Sequence, residues 1–150
     1  MRHYSVILFS ALFLFACSQS GAPEMQNSEA QSPNTHPIIS PYSQAWNDKD
    51  IQSMSALMHP NIEWISVDGN TIKVEISGKE ALVKEMTAWF ESDALPSGSL
   101  KGWSFNGDYV AVTETAHWTN KEGEAKSQSA LTVYQLDNNL IRRVYYYPAK

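Results

Sequence analysis

An α+β domain, with a curved antiparallel sheet wrapped around three helices, is the fold class the sequence predicts. Three observations point to it. Helix-spaced apolar residues occupy the region from Ser40 to Met58, a strand hairpin and a further helix follow, and the chain from Leu100 onward alternates apolar and polar residues between short turns. Helices early and long antiparallel strands late describe a sheet that carries its helices on one face. Long strands twist and coil, so such a sheet bends around the helices, and a concave face larger than its helical cover leaves a pocket.

The elements follow in order. Ser40 and Pro41 read as a helix start, a capping hydroxyl followed by proline at the first helical position, with Tyr42, Ala45 and Trp46 on one face. Asn47 and Asp48 interrupt it. Asp50 then caps a second short helix that turns Ile51, Met54, Leu57 and Met58 inward and stops at His59 and Pro60, where an imidazolium suits the last carbonyls. Strands over residues 62–67 and 71–76 flank the turn Asp68-Gly69-Asn70, and Gly78 leads into a third helix to about Glu91, with Leu82, Met86, Trp89 and Phe90 spaced for burial. Four strands close the chain, over 100–105, 109–118, 125–136 and 140–147, joined by turns at Asn106-Gly107, Lys121-Glu122-Gly123 and Asn138-Asn139. Connections this short predict an antiparallel meander.

Residues before about 38 have a different character. Arg2 and His3 precede an apolar run over residues 6–15, the length of a signal-peptide core and too short to cross a bilayer as a helix. The run ends in Leu14-Phe15-Ala16-Cys17, which resembles the lipobox of bacterial lipoproteins, so residues 1–16 are expected to be an export signal and Cys17 to be lipidated. Several acyl chains at about 0.8 kcal/mol per buried methylene hold a protein firmly on a membrane. Ser18 after the cysteine implies, within that resemblance, transport to the outer membrane. Residues 17–37, rich in Ser, Gln, Asn, Pro, Ala and Glu, are expected to be a disordered tether with a span of roughly 25 Å. The domain, residues 38–150, is then expected on the periplasmic side of the envelope.

Composition excludes several kinds of chemistry. Cys17 is the only cysteine, so the domain has no internal disulfide, thiolate zinc site or cysteine nucleophile. The net charge of −5, with no basic stripe, argues against nucleic acid. The sequence has no His-x-His, His-Glu-x-x-His, glycine-rich phosphate loop or Gly-x-Ser-x-Gly elbow, so no metal and no cofactor is implied.

One strand carries a chemical question. In "YVAVTETAHW", residues 109–118, a period of two puts Val110, Val112, Glu114, Ala116 and Trp118 on one face and Tyr109, Ala111, Thr113, Thr115 and His117 on the other. The first face is a core face with a carboxylate in its middle. An ionised group without a partner there would cost several kcal/mol or take up a proton, so the plain placements for Glu114 are a pair with a Lys or Arg across the sheet or a site open to water. His117, on the opposite face, is expected at the surface. Glu75, on a strand that alternates with lysine, is expected to be solvated at a sheet edge.

The order of elements, with "PYSQAWNDKDIQSMSALMHPNIEW", "ISGKEALVKEMTAWF" and "LTVYQLDNNLIRRVYYYP", resembles the SnoaL-like, or nuclear transport factor 2-like, superfamily over roughly residues 38–148. The resemblance rests on the aromatic residue before the Ala45-to-Asp50 helix break, Gly78 opening the third helix, and the Ile141-x-Arg143-x-x-x-Tyr147 last strand. It implies a cone with an internal cavity. Members include polyketide cyclases, steroid isomerases, dehydratases and transport factors, so the fold does not choose a function. Against the steroid isomerase branch, Tyr42 falls on the oxyanion tyrosine, Trp64 where the general-base aspartate stands, and Gln128 where a protonated aspartate donates. An indole cannot abstract a carbon-bound proton, so that mechanism does not carry over as written.

The resemblance places Val112, Glu114, Ala116 and Trp118 on the cavity wall, where desolvation is expected to raise the Glu114 pKa, with Trp46, Trp64, Met86 and Tyr146 completing it. The leading expectation is a small apolar or aromatic ligand held in the cone. The alternative is an isomerase, cyclase or dehydratase with Glu114 as acid or base and Tyr42 and Gln128 polarising an oxygen. A third expectation is a homodimer through the outer sheet face, where Thr113, Thr115, His117, Tyr145 and Tyr147 lie.

Overall fold

The computed structural model describes residues 34–91, 97–120 and 122–149. The expected export signal, the lipidation site Cys17 and the tether up to residue 33 lie outside the described residues. Helices α1 (Ile39–Asn47) and α2 (Ile51–Ala56) come first. Strands β1 (Met58–Asp68) and β2 (Thr71–Ser77), helix α3 (Lys79–Phe90), and strands β3 (Ser97–Asn106), β4 (Tyr109–Thr119), β5 (Ala125–Asp137) and β6 (Leu140–Pro148) follow. The six strands form one open curved sheet in the order β2-β1-β6-β5-β4-β3.

Helix α1 starts differently from its expected form. Ser40 lies in the first turn and does not cap it. The ring nitrogen Nδ1 of His36 accepts from the backbone N–H groups of Ile38 (3.1 Å) and Ile39 (3.3 Å), while Ser40 Oγ accepts from His36 N (2.9 Å). The imidazole upstream thus satisfies donors that a helix start leaves orphaned. It also stacks on Phe105 of β3 at 6.0 Å, which fixes the chain's entry to the domain. Pro41 still sits in the first turn, where its missing N–H costs nothing.

Lys49, in the left-handed region at φ +59°, turns the chain from α1 into α2. Asp50 caps α2 as expected, accepting from Ser53 N (3.0 Å) and Ser53 Oγ (2.6 Å). The helix ends earlier than its apolar spacing suggests, however. Met58 belongs to β1 and pairs with Ile141 of β6, and the N–H of Ile141 donates to Leu57 O (2.9 Å). His59 and Pro60 are therefore strand residues. The ladder is irregular between Met58 and Glu63, which accommodates a proline that cannot donate. His59 does not cap α2; its Nδ1 accepts from Asn61 N at 3.0 Å.

Strands β3 to β6 form the expected antiparallel meander. The sheet is not wholly antiparallel, because β1 runs parallel to β6. Burial explains the arrangement. Ile62 and Ile65 of β1 and Ile141 and Val144 of β6 are among the most buried residues, and parallel neighbours suit the covered middle of a sheet. The turn into β6 uses Asn138 (φ +51°) and Asn139 (φ +61°), a left-handed pair that matches the strand twist of a two-residue hairpin.

The helices cover one face of the sheet. Ile39, Tyr42 and Ala45 of α1, Met54 of α2, and Leu82 and Met86 of α3 pack onto Met58, Ile62, Val110, Val112, Tyr134, Ile141 and Val144. Each large aliphatic side chain buried there contributes about 1.5–3 kcal/mol. On the opposite face Glu63, Arg143 and Gln135 form a row across three strands, with Arg143 Nε donating to Glu63 (2.6 Å) and its guanidinium to Gln135 (3.0 Å).

A side-chain clamp ties the helical layer to the sheet. Asn47, the last residue of α1, donates through Nδ2 to Gly98 O (3.0 Å) and accepts at Oδ1 from Gly98 N (2.6 Å). The amide imitates a strand neighbour at the start of β3. Replacing Asn47 with alanine leaves both Gly98 groups without these partners, so the variant should lose about 1–3 kcal/mol of stability. Urea unfolding measures this, and an unchanged midpoint would mean that the clamp holds nothing.

Candidate functional site

A cavity of about 560 Å³ lies on the concave face of the sheet, within the range of small-molecule sites. Its floor is formed by Tyr42, Met86 and Tyr134, all buried. Half-buried Trp46, Trp64, Trp118 and Tyr146 make the walls, and exposed Trp89 and Gln128 stand at the rim. Trp64 and Tyr146 lie together on the wall with ring centroids 6.4 Å apart.

The wall follows from strand period and register. Along β4 the inward series runs Val110, Val112, Glu114, Ala116, Trp118. The first two are fully buried under the helices and the last three reach the cavity. Val112 is therefore a core residue and does not line the cavity, contrary to expectation. Alternation sets which face a residue takes, while the helical cover sets how deep it lies. The β4–β5 ladder has no shift along its length, so Gln128 opposes Ala116 and faces inward. Trp89 also departs from expectation: it is not buried by α3 but is 57% exposed, with its ring edge-on to Trp46 at 5.9 Å.

Glu114 has no basic neighbour across the strands. Its register partners are Leu100 on β3 and Ala130 on β5. The small alanine leaves room, and the hydroxyl of Tyr134 reaches along β5 to donate a hydrogen bond to Glu114 Oε1. Burial pushes the carboxyl pKa up. The Tyr134 hydrogen bond opposes this, as does Thr132 to a smaller degree, although the Thr132 hydroxyl falls short of hydrogen-bond geometry. The net direction is up.

The surrounding phenols shift the same way. Burial, and then the charge of Glu114, raise Tyr42, Tyr134 and Tyr146 above the ordinary tyrosine value, so all three stay protonated at neutral pH. The Tyr42 hydroxyl is buried and has no hydrogen-bond partner, while its ring stands edge-on to Tyr134 at 6.3 Å. Of the three groups expected to converge, Tyr42 and Glu114 lie deep in the cavity and Gln128 lies at its rim. The residue that engages Glu114 is Tyr134, which does not figure among the expected site residues. Its signal was available, since the alternation that turns Gln128 inward also turns Thr132 and Tyr134 inward.

Among the described residues no cluster of three or more His, Cys, Asp or Glu could hold a metal ion, and no helix is long and apolar enough to cross a membrane. Glu75 is exposed on the edge strand β2 and bonds Lys73 Nζ and Ser66 Oγ, both at 2.6 Å.

Comparison with known proteins decides the family. The SnoaL-like domain family matches residues 40–144. The chain belongs to that family. Solved structures similar to this SnoaL-like domain include TerC co-crystallised with polyporic acid, at 19% identity and TM-score 0.61 over 75% of this chain and 88% of that one. Another is a hypothetical protein of ketosteroid isomerase-like fold from Catenulispora acidiphila in complex with trimethylamine, at 12% identity and TM-score 0.62 over 75% and 85%. A third is a nuclear transport factor 2-like protein of unknown function from Cytophaga hutchinsonii, at 13% identity and TM-score 0.59 over 79% and 94%. Likeness at this identity speaks for the fold alone. No curated protein sequence matches the chain.

The carboxyl of this SnoaL-like domain makes its stability depend on pH. Below about 4.5, the ordinary glutamate value, Glu114 is protonated in both folded and unfolded chains. As pH rises, the unfolded chain releases the proton first, so the folded state loses stability until the raised folded pKa is passed. Glu114→Gln carries no such penalty. Its melting temperature should exceed that of the parent at pH 7–8, and the gap should close toward pH 4 in thermal melts. Tyr134→Phe removes the donor to Oε1, so the Glu114 carboxyl should titrate still higher by carbon NMR, at a cost of about 1–3 kcal/mol in stability.

Proposed function

We propose that this SnoaL-like domain binds a small, mostly apolar molecule in its aromatic cavity, and that the chain presents it from a lipid anchor at Cys17 on the periplasmic side of the outer membrane. The observation that carries the binding reading is the Tyr42 hydroxyl, buried and without a partner at the floor of an aromatic-walled cavity. Such a group costs about 1–3 kcal/mol when nothing bonds it. A ligand oxygen or nitrogen that reaches it recovers that cost. Two similar structures hold small molecules, polyporic acid and trimethylamine, which supports the reading. The anchor rests on the Leu14-to-Cys17 sequence and on Ser18.

A thermal-shift screen of apolar acids, amines, sterol-like and polyketide-like compounds should find stabilisers, since a ligand at 100 times its Kd adds about 2.7 kcal/mol. Trp118→Ala, which removes part of the wall, should weaken each hit at least about tenfold, a loss of 1.4 kcal/mol. A melting point that no compound moves would sink the binding reading. The anchor is checked separately by palmitate labelling in cells, which Cys17→Ala should abolish.

A second reading is favoured by the Glu114–Tyr134 hydrogen bond. A carboxyl with a raised pKa, beside the Tyr42 hydroxyl, has the means for proton transfer in an isomerase, cyclase or dehydratase. Tyr42 or Tyr134 then polarises the substrate oxygen in place of the expected Gln128. On any substrate found turned over, Glu114→Gln should lower kcat at least about tenfold, because general acid–base catalysis supplies factors of roughly 10²–10⁴. An unaltered kcat removes Glu114 from the chemistry.

The outer face offers a surface for self-association. Val74, Ile65, Tyr145, Val133 and Ala111 form one register row across five strands, beside exposed Leu131 and Tyr147. Thr113, Thr115 and His117 of the expected interface lie on the same face. Light scattering on the eluting protein distinguishes monomer from dimer.

A further inference from the structure

The cavity lining has a one-sided charge. Its described residues include a single ionisable acid, Glu114, and no Lys, Arg or His. The groups that face Glu114 are the Tyr42 phenol from α1, Thr132 and the Tyr134 phenol from β5, and the Tyr146 phenol from β6. From β3 and α3 come Leu100 and Met86, which carry no charge. Not one of these neighbours can supply a counter-charge when Glu114 ionises.

The rest of the lining suits a cation. Indole and phenol faces attract ammonium groups through their quadrupole, most strongly when desolvated. Trp46 already does this for a side chain outside the lining, Lys49, whose Nζ stands 5.4 Å from its ring centroid and 5.3 Å from that of Phe90. Trp64, Trp118 and Tyr146 bring further rings around the same space. The Tyr42 hydroxyl, buried without a partner, has oxygen lone pairs to accept an N–H.

Resting on the reading that this cavity is a ligand site, we infer that it selects a protonated amine carried on an apolar body over neutral or anionic molecules of the same shape. The ammonium supplies the missing counter-charge to the Glu114 carboxylate, and its N–H groups bond the carboxylate and Tyr42 Oη. Once Glu114 is ionised, a carboxylate ligand meets like charge in a desolvated space. A neutral ligand leaves Glu114 uncompensated. When the amine binds at a pH where Glu114 is protonated, the carboxyl proton leaves to solvent and one positive charge takes its place.

Isothermal titration with 4-phenylbutylamine, 4-phenylbutanol and 4-phenylbutyrate tests this, because the three share a body and differ in charge. The amine stays protonated across pH 5–8. It should bind at least about tenfold more tightly than the alcohol, the factor that 1.4 kcal/mol represents, and the acid should bind most weakly. The advantage should grow with pH, with proton release seen as a dependence of heat on buffer ionisation enthalpy. Glu114→Gln should bring amine and alcohol within about threefold, less than one charge-assisted hydrogen bond provides. The pH dependence of the parent tests the claim even if that variant fails to fold. Equal binding of amine and alcohol, or tightest binding of the acid, overturns the charge selection and leaves the cavity as a ligand site. Binding of none of the three, together with no hit in the broader thermal-shift screen, removes the ligand site itself.

Discussion

The hydrogen bond from Tyr134 to Glu114 is the interaction on which the character of this domain depends. An ionised carboxylate without a partner in an apolar space costs several kcal/mol, and proteins usually avoid it by pairing the group or leaving it in water. Here no basic side chain pairs with it, and it stands half-buried in the cavity wall. No Lys or Arg lies opposite Glu114 on β3 or β5, and the group sits behind half-buried aromatic side chains. A single phenol donates to one oxygen, which permits the charge without neutralising it. The second oxygen is left for whatever enters. A domain whose only task was packing would place an apolar side chain between Val112 and Ala116 at no such cost.

The cavity around that carboxyl is a consequence of how unevenly the helices cover the sheet. They cover the middle, where β1 and β6 run side by side and where Ile62, Ile141 and Val144 are buried. They do not cover the outer ends of β4 and β5. Ala116 is too small to fill the space beyond the helical layer, so indoles from α1, β1, α3 and β4 border it instead of closing it. The clamp from Asn47 to Gly98 fixes the end of α1 against the start of β3, and both Trp46 and Gly98 line the cavity. Stability and site geometry are therefore coupled at this point: loosening the clamp moves a wall.

Much of this was legible in the sequence, and the failures have definite physical causes. Period-two alternation was enough to put Glu114 and Trp118 on one face, while the inward facing of Gln128 came from the family resemblance and holds because the β4–β5 ladder has no shift. Asp50 was readable as a cap because the bond it makes to Ser53 is local. What could not be read was anything set by a distant partner. Met58 continues a helical spacing, yet Ile141, more than eighty positions away, draws it into a strand. Val112 has the correct face and the wrong depth, since depth depends on where α1 and α3 end. Ser40 has the right chemistry for a cap, but the helix begins one residue earlier, at Ile39, where the His36 imidazole takes the N–H groups of Ile38 and Ile39. Tyr134 was missed because its long side chain acts along the strand, well away from its own register partner Val110.

Glu114 is asked for opposite things by the two chemistries open to it. As a neutral acid it presents a hydroxyl to a carbonyl or carboxyl oxygen, and it has a proton to transfer. As a carboxylate it is the counter-ion of a cation. Tyr134 donates to it and therefore favours the ionised form, while burial favours the neutral one. Burial prevails in the empty cavity, and a positively charged occupant would shift the group toward the carboxylate. Trp64 weighs on the side of the ion. An indole cannot take a carbon-bound proton, so among the described lining residues Glu114 is the one carboxyl that can serve as donor and acceptor in turn. Trp64 also turns an aromatic face to the cavity, and an aromatic face stabilises an ammonium but cannot take a proton. The side chain that offers nothing to proton abstraction thus suits the holding of a positive charge.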